Sequence, residues 1–258
     1  MDFNRIYELL EEKYAEYSRS EYFIETDPIQ IPKIFDKKED IEISGFLTAS
    51  IAWGQRRSII KNARKLMQLM DYAPYEFICN ASEKEMGSIS FTHRTFNSYD
   101  CAYFIRSIAN IYRNHGGLEN LFASAYRESG NMFSAIVRWR QVFTELPAEK
   151  RVMRHIPDMT KGSAAKRINM FLRWMVRKDK GNVDFGLWKG IPPSALLIPL
   201  DIHTGTVSRE LGLLSRKQND AKAVYELTGK LRLFDKEDPI KYDFALFGLG
   251  AFGRKTSQ

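Results

Sequence analysis

Apolar residues recur along almost the whole chain at the three-and-four spacing of an amphipathic helix. Ile6, Leu9 and Leu10 open the first stripe, and Tyr14 and Tyr17 extend it. Residues 42–70 carry a longer helical pattern. Gly54-Gln55 interrupts it, predicting two helices that meet at a turn. Ile59, Ile60, Ala63, Leu66, Met67 and Met70 then resume the stripe. Pro74 starts a short helix reaching about residue 81, and residues 82–98 read as polar and turn-rich. Helix returns over 100–112 and stops at Gly116-Gly117. Further amphipathic helices are predicted over 118–128, 132–143, 163–178, 201–211 and 220–231. A last one follows Asp238-Pro239 and runs to about residue 249, and residues 146–163 read as a loop. Only residues 89–95 hint at a strand. The pattern predicts an all-α fold without internal repeat or linker. It is read as a single domain over 1–258, with the chain ends in one lobe and the middle in the other.

Composition narrows this picture. The 258 residues are 44% apolar and 13% aromatic, enough for a sizeable core and unlike a disordered chain. No uncharged apolar window of about 18 residues exists, so no membrane span is expected. The N-terminus, Met1-Asp2-Phe3-Asn4-Arg5, enters helical periodicity directly and lacks the layout of a signal peptide. Cys79 and Cys101 read as free thiols of a cytoplasmic protein. His93, His115, His155 and His203 are scattered without ligand spacing, so neither metal nor cofactor is expected. The net charge is +7, and residues 150–180 hold ten Lys/Arg against Asp158 and Asp179. A localised basic stretch of this kind suits a phosphate-backbone footprint, or else a solvated helix face.

Two segments could carry chemistry. In Lys161-Gly162-Ser163-Ala-Ala-Lys166-Arg167, a glycine turn leads into a helix with Ser163 as its expected N-cap. Lys166, Met170, Arg173 and Arg177 fall on the face opposite Ile168, Phe171, Leu172 and Met175. Backbone amides at such a helix start can grip phosphate. A lysine in the first turn meets the positive helix end, which favours the neutral, nucleophilic amine. The bland alternative is a surface lysine. In the second segment, Leu196-Leu-Ile-Pro-Leu-Asp201-Ile-His203, an aspartate ends an apolar run and begins a helix. It can be a plain N-cap, or a part-buried carboxylate that stabilises positive charge or moves a proton.

Pro199-Leu-Asp201-Ile-His203, followed by Arg209 and Leu211-Gly212, resembles the catalytic-aspartate segment of the helix-hairpin-helix (HhH-GPD) DNA glycosylases. Ser163-Ala-Ala-Lys166-Arg167 is similar to the hairpin exit, where bifunctional members carry a nucleophilic lysine. Phe46-Leu-Thr-Ala-Ser-Ile-Ala-Trp53-Gly-Gln55-Arg56-Arg57 resembles the helix and turn whose glutamine often fills the gap left by a flipped base. Tyr242-Asp243-Phe244 is like the family's last core helix. The usual hairpin glycine motif is replaced by Ile156-Pro-Asp-Met-Thr-Lys-Gly162. That divergence, with Lys166 and Asp201 35 positions apart, most resembles the archaeal 8-oxoguanine glycosylase branch.

The resemblance implies a two-lobed helical fold, with a diverged hairpin over about 150–178 and the aspartate segment over about 196–212. It implies a monomer that acts on double-stranded DNA containing a modified base, either an oxidised purine or a hypermodified phage base, the latter in anti-phage defence. Asp201 and Lys166 would be catalytic, with Lys161 as rival lysine; with Lys166 only a phosphate contact, water would attack and leave an abasic site. Gln55, Arg56, Arg57, Lys161, Gly162, Ser163, Arg167, Arg173 and His203 would contact DNA, and Trp53, Trp174 or Trp188 would wall the base pocket. A non-catalytic DNA-binding module using the same hairpin is the rival reading, and a protein-binding scaffold a third.

Overall fold

The computed structural model describes residues 2–18, 21–179 and 181–253. The first helices are α1 (Phe3–Tyr17), α2 (Glu21–Thr26), α3 (Lys38–Ser50), α4 (Arg56–Gln68) and α5 (Pro74–Asn80). Then come α6 (Glu83–Ser88), α7 (Ser98–Asn114), α8 (Gly117–Ser129) and α9 (Met132–Phe143). After two 3-10 turns, Val152–His155 and Met159–Lys161, follow α10 (Lys166–Val176), α11 (Ile202–Glu210), α12 (Ala221–Phe234) and α13 (Tyr242–Ala251). The fold is all-α. Among the described residues no strand forms, and residues 89–95 contribute only an isolated bridge between His93 and Phe96. No described helix is long and apolar enough to cross a membrane.

The chain divides into two compact units. Unit 1 joins residues 1–23 to 158–258, and unit 2 is residues 24–157. In unit 2, α3 is buried at every position from Ile41 to Ser50, so it is the central helix. Around Phe46 the rings of Phe104, Trp139 and Phe143 gather, with Phe104 and Phe143 centroids 4.9 Å apart. Tilted and edge contacts of this kind stabilise beyond the area they bury. The turn between α3 and α4 falls at Gly54, whose φ of +98° is a left-handed value that favours glycine. Helix α6 lies within the stretch expected to be turns. Ser82 and Glu85 form a capping box there, a signature present in the sequence but outweighed by the polar composition around it.

In unit 1, α13 is apolar on nearly all sides and packs against α1 and α11. Gly248 permits this approach. A Cβ there would fall 2.1 Å from Cδ2 of Tyr17, far inside contact distance. Over 150–178, where a hairpin was expected, two 3-10 turns lead into the single helix α10.

Candidate active site

Helix α10 begins unusually. Ser163 was the expected N-cap, but Ala165 occupies that place, with φ +47° and no capping side chain. A buried alanine in the left-handed region is strained by roughly 1–2 kcal/mol. Ser163 instead supports this strained turn, accepting a hydrogen bond at its Oγ from the Ala165 amide (3.2 Å). Asn169 donates to the Ala164 carbonyl (3.1 Å) and the Ala221 amide donates to that of Gly162 (3.0 Å). Gly162, at φ +90°, is needed for its conformation, since an added Cβ would meet open space. The held turn delivers Lys166 as the first residue of α10.

Lys166 is half-buried, and its Nζ lies 3.3 Å from Sδ of Met170, a weak acceptor. No described carboxylate pairs with it. Lys161, the rival, has a side chain 83% exposed and sits 3.9 Å from Asp158. The two lysines therefore differ in kind: one is solvated beside an acid, the other half-buried at a strained helix start.

Asp201 is the N-cap of α11, with Oδ1 accepting from the Thr204 amide at 2.9 Å. Among the described residues Oδ2 makes no hydrogen bond. Asn219 donates to the Asp201 carbonyl (3.0 Å) and accepts from Arg209 (2.6 Å), locking the backbone from the far side. Gly205 leaves the room for this brace, because a Cβ there would lie 2.6 Å from Oδ1 of Asn219. Asp201 is thus both an ordinary cap and a fixed carboxylate with one oxygen to spare. His203 is exposed, with Nδ1 facing the Gly250 carbonyl (3.2 Å) and its ring edge on Phe247.

Asp243, on α13, brings these residues into one electrostatic neighbourhood. Burial pushes its carboxyl up to about 6; Arg173 opposes the shift, the Asp201 charge adds to it and the Lys166 charge subtracts. By sequence Asp243 reads as part of a core helix. The available signal was an acid inside an apolar run, Tyr242 to Leu246.

Because the folded state holds that proton more tightly than the unfolded chain, this carboxyl makes stability fall as pH rises from about 4 through 6. A rise from 3.8 to about 6 corresponds to about 3 kcal/mol. In Asp243→Asn, urea midpoints measured between pH 4 and 7 should lose that part of the slope.

The expected DNA contact Arg173 and the expected pocket walls Trp174 and Trp188 lie in the interior. Arg173 was placed on a polar face, but it is 4% exposed and pairs with Asp184 (3.2 Å) and Asp243. Arg177 is likewise buried, bound to Asp184 and Asp238 at 2.8 Å and to the Tyr14 hydroxyl at 2.7 Å. These two cations are neutralised inside unit 1, so the basic stretch presents less charge than its composition suggests. Lys180 of that stretch lies outside the described residues. Arg167 is half-buried, and burial lowers its guanidinium to about 10. Trp174 and Trp188, expected to wall a base pocket, are 0% and 1% exposed and belong to the core, Trp188 edge-on to Phe171.

Unit 2 holds the remaining expected contacts. Gln55 and Arg57 are exposed, and Arg56 is half-exposed with Asp27 at 3.9 Å. Trp53, half-exposed, stacks on His155 with centroids 5.8 Å apart. Among the described residues no group of three or more His, Cys, Asp or Glu is arranged to hold a metal.

Residues 27–252 match the family described as "Protein of unknown function (DUF2400)", and the chain belongs to that family. No curated protein and no solved structure matches it.

Proposed function

We propose that this member of the DUF2400 family is a DNA glycosylase that flips a modified base out of duplex DNA and cleaves its N-glycosidic bond, with lyase activity through Lys166. One observation carries the reading. A half-buried lysine, with no carboxylate partner among the described residues and delivered by a strained turn, acts on the buried Asp243 together with a fixed carboxylate that has a spare oxygen. Strain of this kind concentrates at working sites. The resemblance of both segments to the HhH-GPD glycosylases supports the same assignment.

The roles follow from the groups. Flipping costs a few kcal/mol, least for a damaged or mispaired base. The Lys166 amine attacks C1′ through its nitrogen lone pair, and the base leaves with the electron pair of the broken bond and takes up a proton. Asp201 stabilises the positive charge that develops on the sugar, then accepts the proton shed by the new C1′–N bond. Ring opening gives a Schiff base, and β-elimination expels the 3′ phosphate. In unit 2, Gln55 with Arg56 and Arg57 would hold the gap left in the duplex. The substrate class is an oxidised purine such as 8-oxoguanine, or a hypermodified base of phage DNA.

The test is base release from a panel of modified-base duplexes, with borohydride trapping of the covalent adduct. Wild-type protein and Lys161→Ala should both be trapped, and Lys166→Ala should not. A trap lost in Lys161→Ala and kept in Lys166→Ala would overturn the lysine assignment. DNA binding without base release from any duplex would favour the non-catalytic module.

A further inference from the structure

His93 is a buried histidine, 1% exposed, in the short turn between α6 and α7 of unit 2. Both ring nitrogens are engaged. Nδ1 lies 2.8 Å from the Asn62 amide nitrogen on α4, and Nε2 lies 3.1 Å from the Trp53 carbonyl. An amide nitrogen only donates, so Nδ1 accepts and Nε2–H donates. This fixes one neutral tautomer, and burial keeps the ring neutral by lowering its pKa.

The ring also stands edge-on to Trp53, with centroids 5.0 Å apart. The neighbouring Arg94, itself at φ +55°, lays its side chain against Gly54; a Cβ on Gly54 would come within 2.8 Å of it. The turn that bears His93 is closed by paired hydrogen bonds between His93 and Phe96, of 2.7 and 2.9 Å. So the Trp53 carbonyl, two residues before Gln55, meets the His93 imidazole, and the Arg94 side chain lies against Gly54. The same imidazole is tied to the helix that Gln55 caps. Gln55 itself has no side-chain capping bond and is exposed.

We infer that His93 is a positioning residue for the Gln55 turn, setting the pose in which Gln55 meets a gap in duplex DNA. The inference rests on the proposed reading of that turn as a DNA contact. A histidine that merely filled the core would affect all binding through stability. A positioning histidine affects the gap selectively. Losing it removes the His93 hydrogen bond to the part-buried Trp53 carbonyl, which loosens the turn while the helices stay packed.

The experiment compares binding of an intact duplex and a duplex carrying a tetrahydrofuran abasic analogue, by fluorescence anisotropy at one salt concentration. Thermal melting and base release are followed in parallel. His93→Phe keeps the ring contacts and removes both hydrogen bonds. It should lower the preference for the gapped duplex by about tenfold, the scale of one lost hydrogen bond. Intact-duplex affinity should change less than about twofold. His93→Gln, whose amide can again donate to the Trp53 carbonyl, should recover most of the preference. Equal weakening on both duplexes, an unchanged preference in His93→Phe, or no recovery in His93→Gln would overturn the inference. If base release by the wild type persists in those cases, the glycosylase reading stands without it. If the wild type neither releases a base nor prefers the gap, both fall.

Discussion

Asp201→Asn is expected to reduce base release by about 10²- to 10⁴-fold while leaving the fold intact. The substitution is chosen because Asp201 has two jobs in the structure. As N-cap it accepts from the Thr204 amide through Oδ1, and asparagine caps a helix about as well. As a carboxylate it offers Oδ2, whose negative charge asparagine lacks. Melting temperature should therefore hold within a degree or two and single-turnover base release should collapse. Asp201→Ala separates the two roles from the other direction: it should lose both the reaction and about 1 kcal/mol of stability. Full base release by a folded Asp201→Asn protein would show that the residue is a cap and nothing more. The proposed chemistry would then have no group to stabilise charge on the sugar.

Arg177→Met should be the most destabilising single change in unit 1, by about 3–5 kcal/mol. Native chains hold only about 5–15 kcal/mol in total, so a large part of the margin would go. The reason is an imbalance of buried charge. Arg173 and Arg177 face Asp179, Asp184, Asp238 and Asp243, two guanidinium groups against four carboxyls. Burial already raises the carboxyls of Asp179 and Asp238 above their ordinary range, and Arg177 is the main charge restraining Asp238. Without it, the carboxylates are left buried and uncompensated. They can relieve the cost by taking up protons, so the penalty should be larger at pH 7 than at pH 4.5. Urea midpoints at the two pH values measure the difference. Adding Asp184→Asn and Asp238→Asn to Arg177→Met should recover part of the loss, since removing both sides of a buried pair costs less than orphaning one.

The same charges mark the boundary of what could be read from one dimension. Arg173 on α10 and Arg177 at its C-cap fall four apart on the side away from Phe171 and Leu172, and a helical stripe assigns that side to solvent. Their partners are Asp184, Asp238, Asp243 and Tyr14, up to 163 residues away. No local pattern announces such pairing. Asp243 escaped as a site residue for the same reason. Its meaning comes from its pairing with Arg173 and from the charges of Asp201 and Lys166, all far from it in sequence.

What the sequence determined by itself was local. The all-α class, the turn at Gly54-Gln55, the cap at Asp201 and most helix limits depend on residues within a few positions of one another. Periodicity, capping and backbone preference act at that range. Even there a strong signal was lost at α6, where composition argued against the capping box. Tertiary structure alone decided which charges face water and which face each other, which tryptophans are core, and that Ala165 rather than Ser163 starts α10. Each of these depends on burial, and burial is set by elements that meet only after the chain has folded.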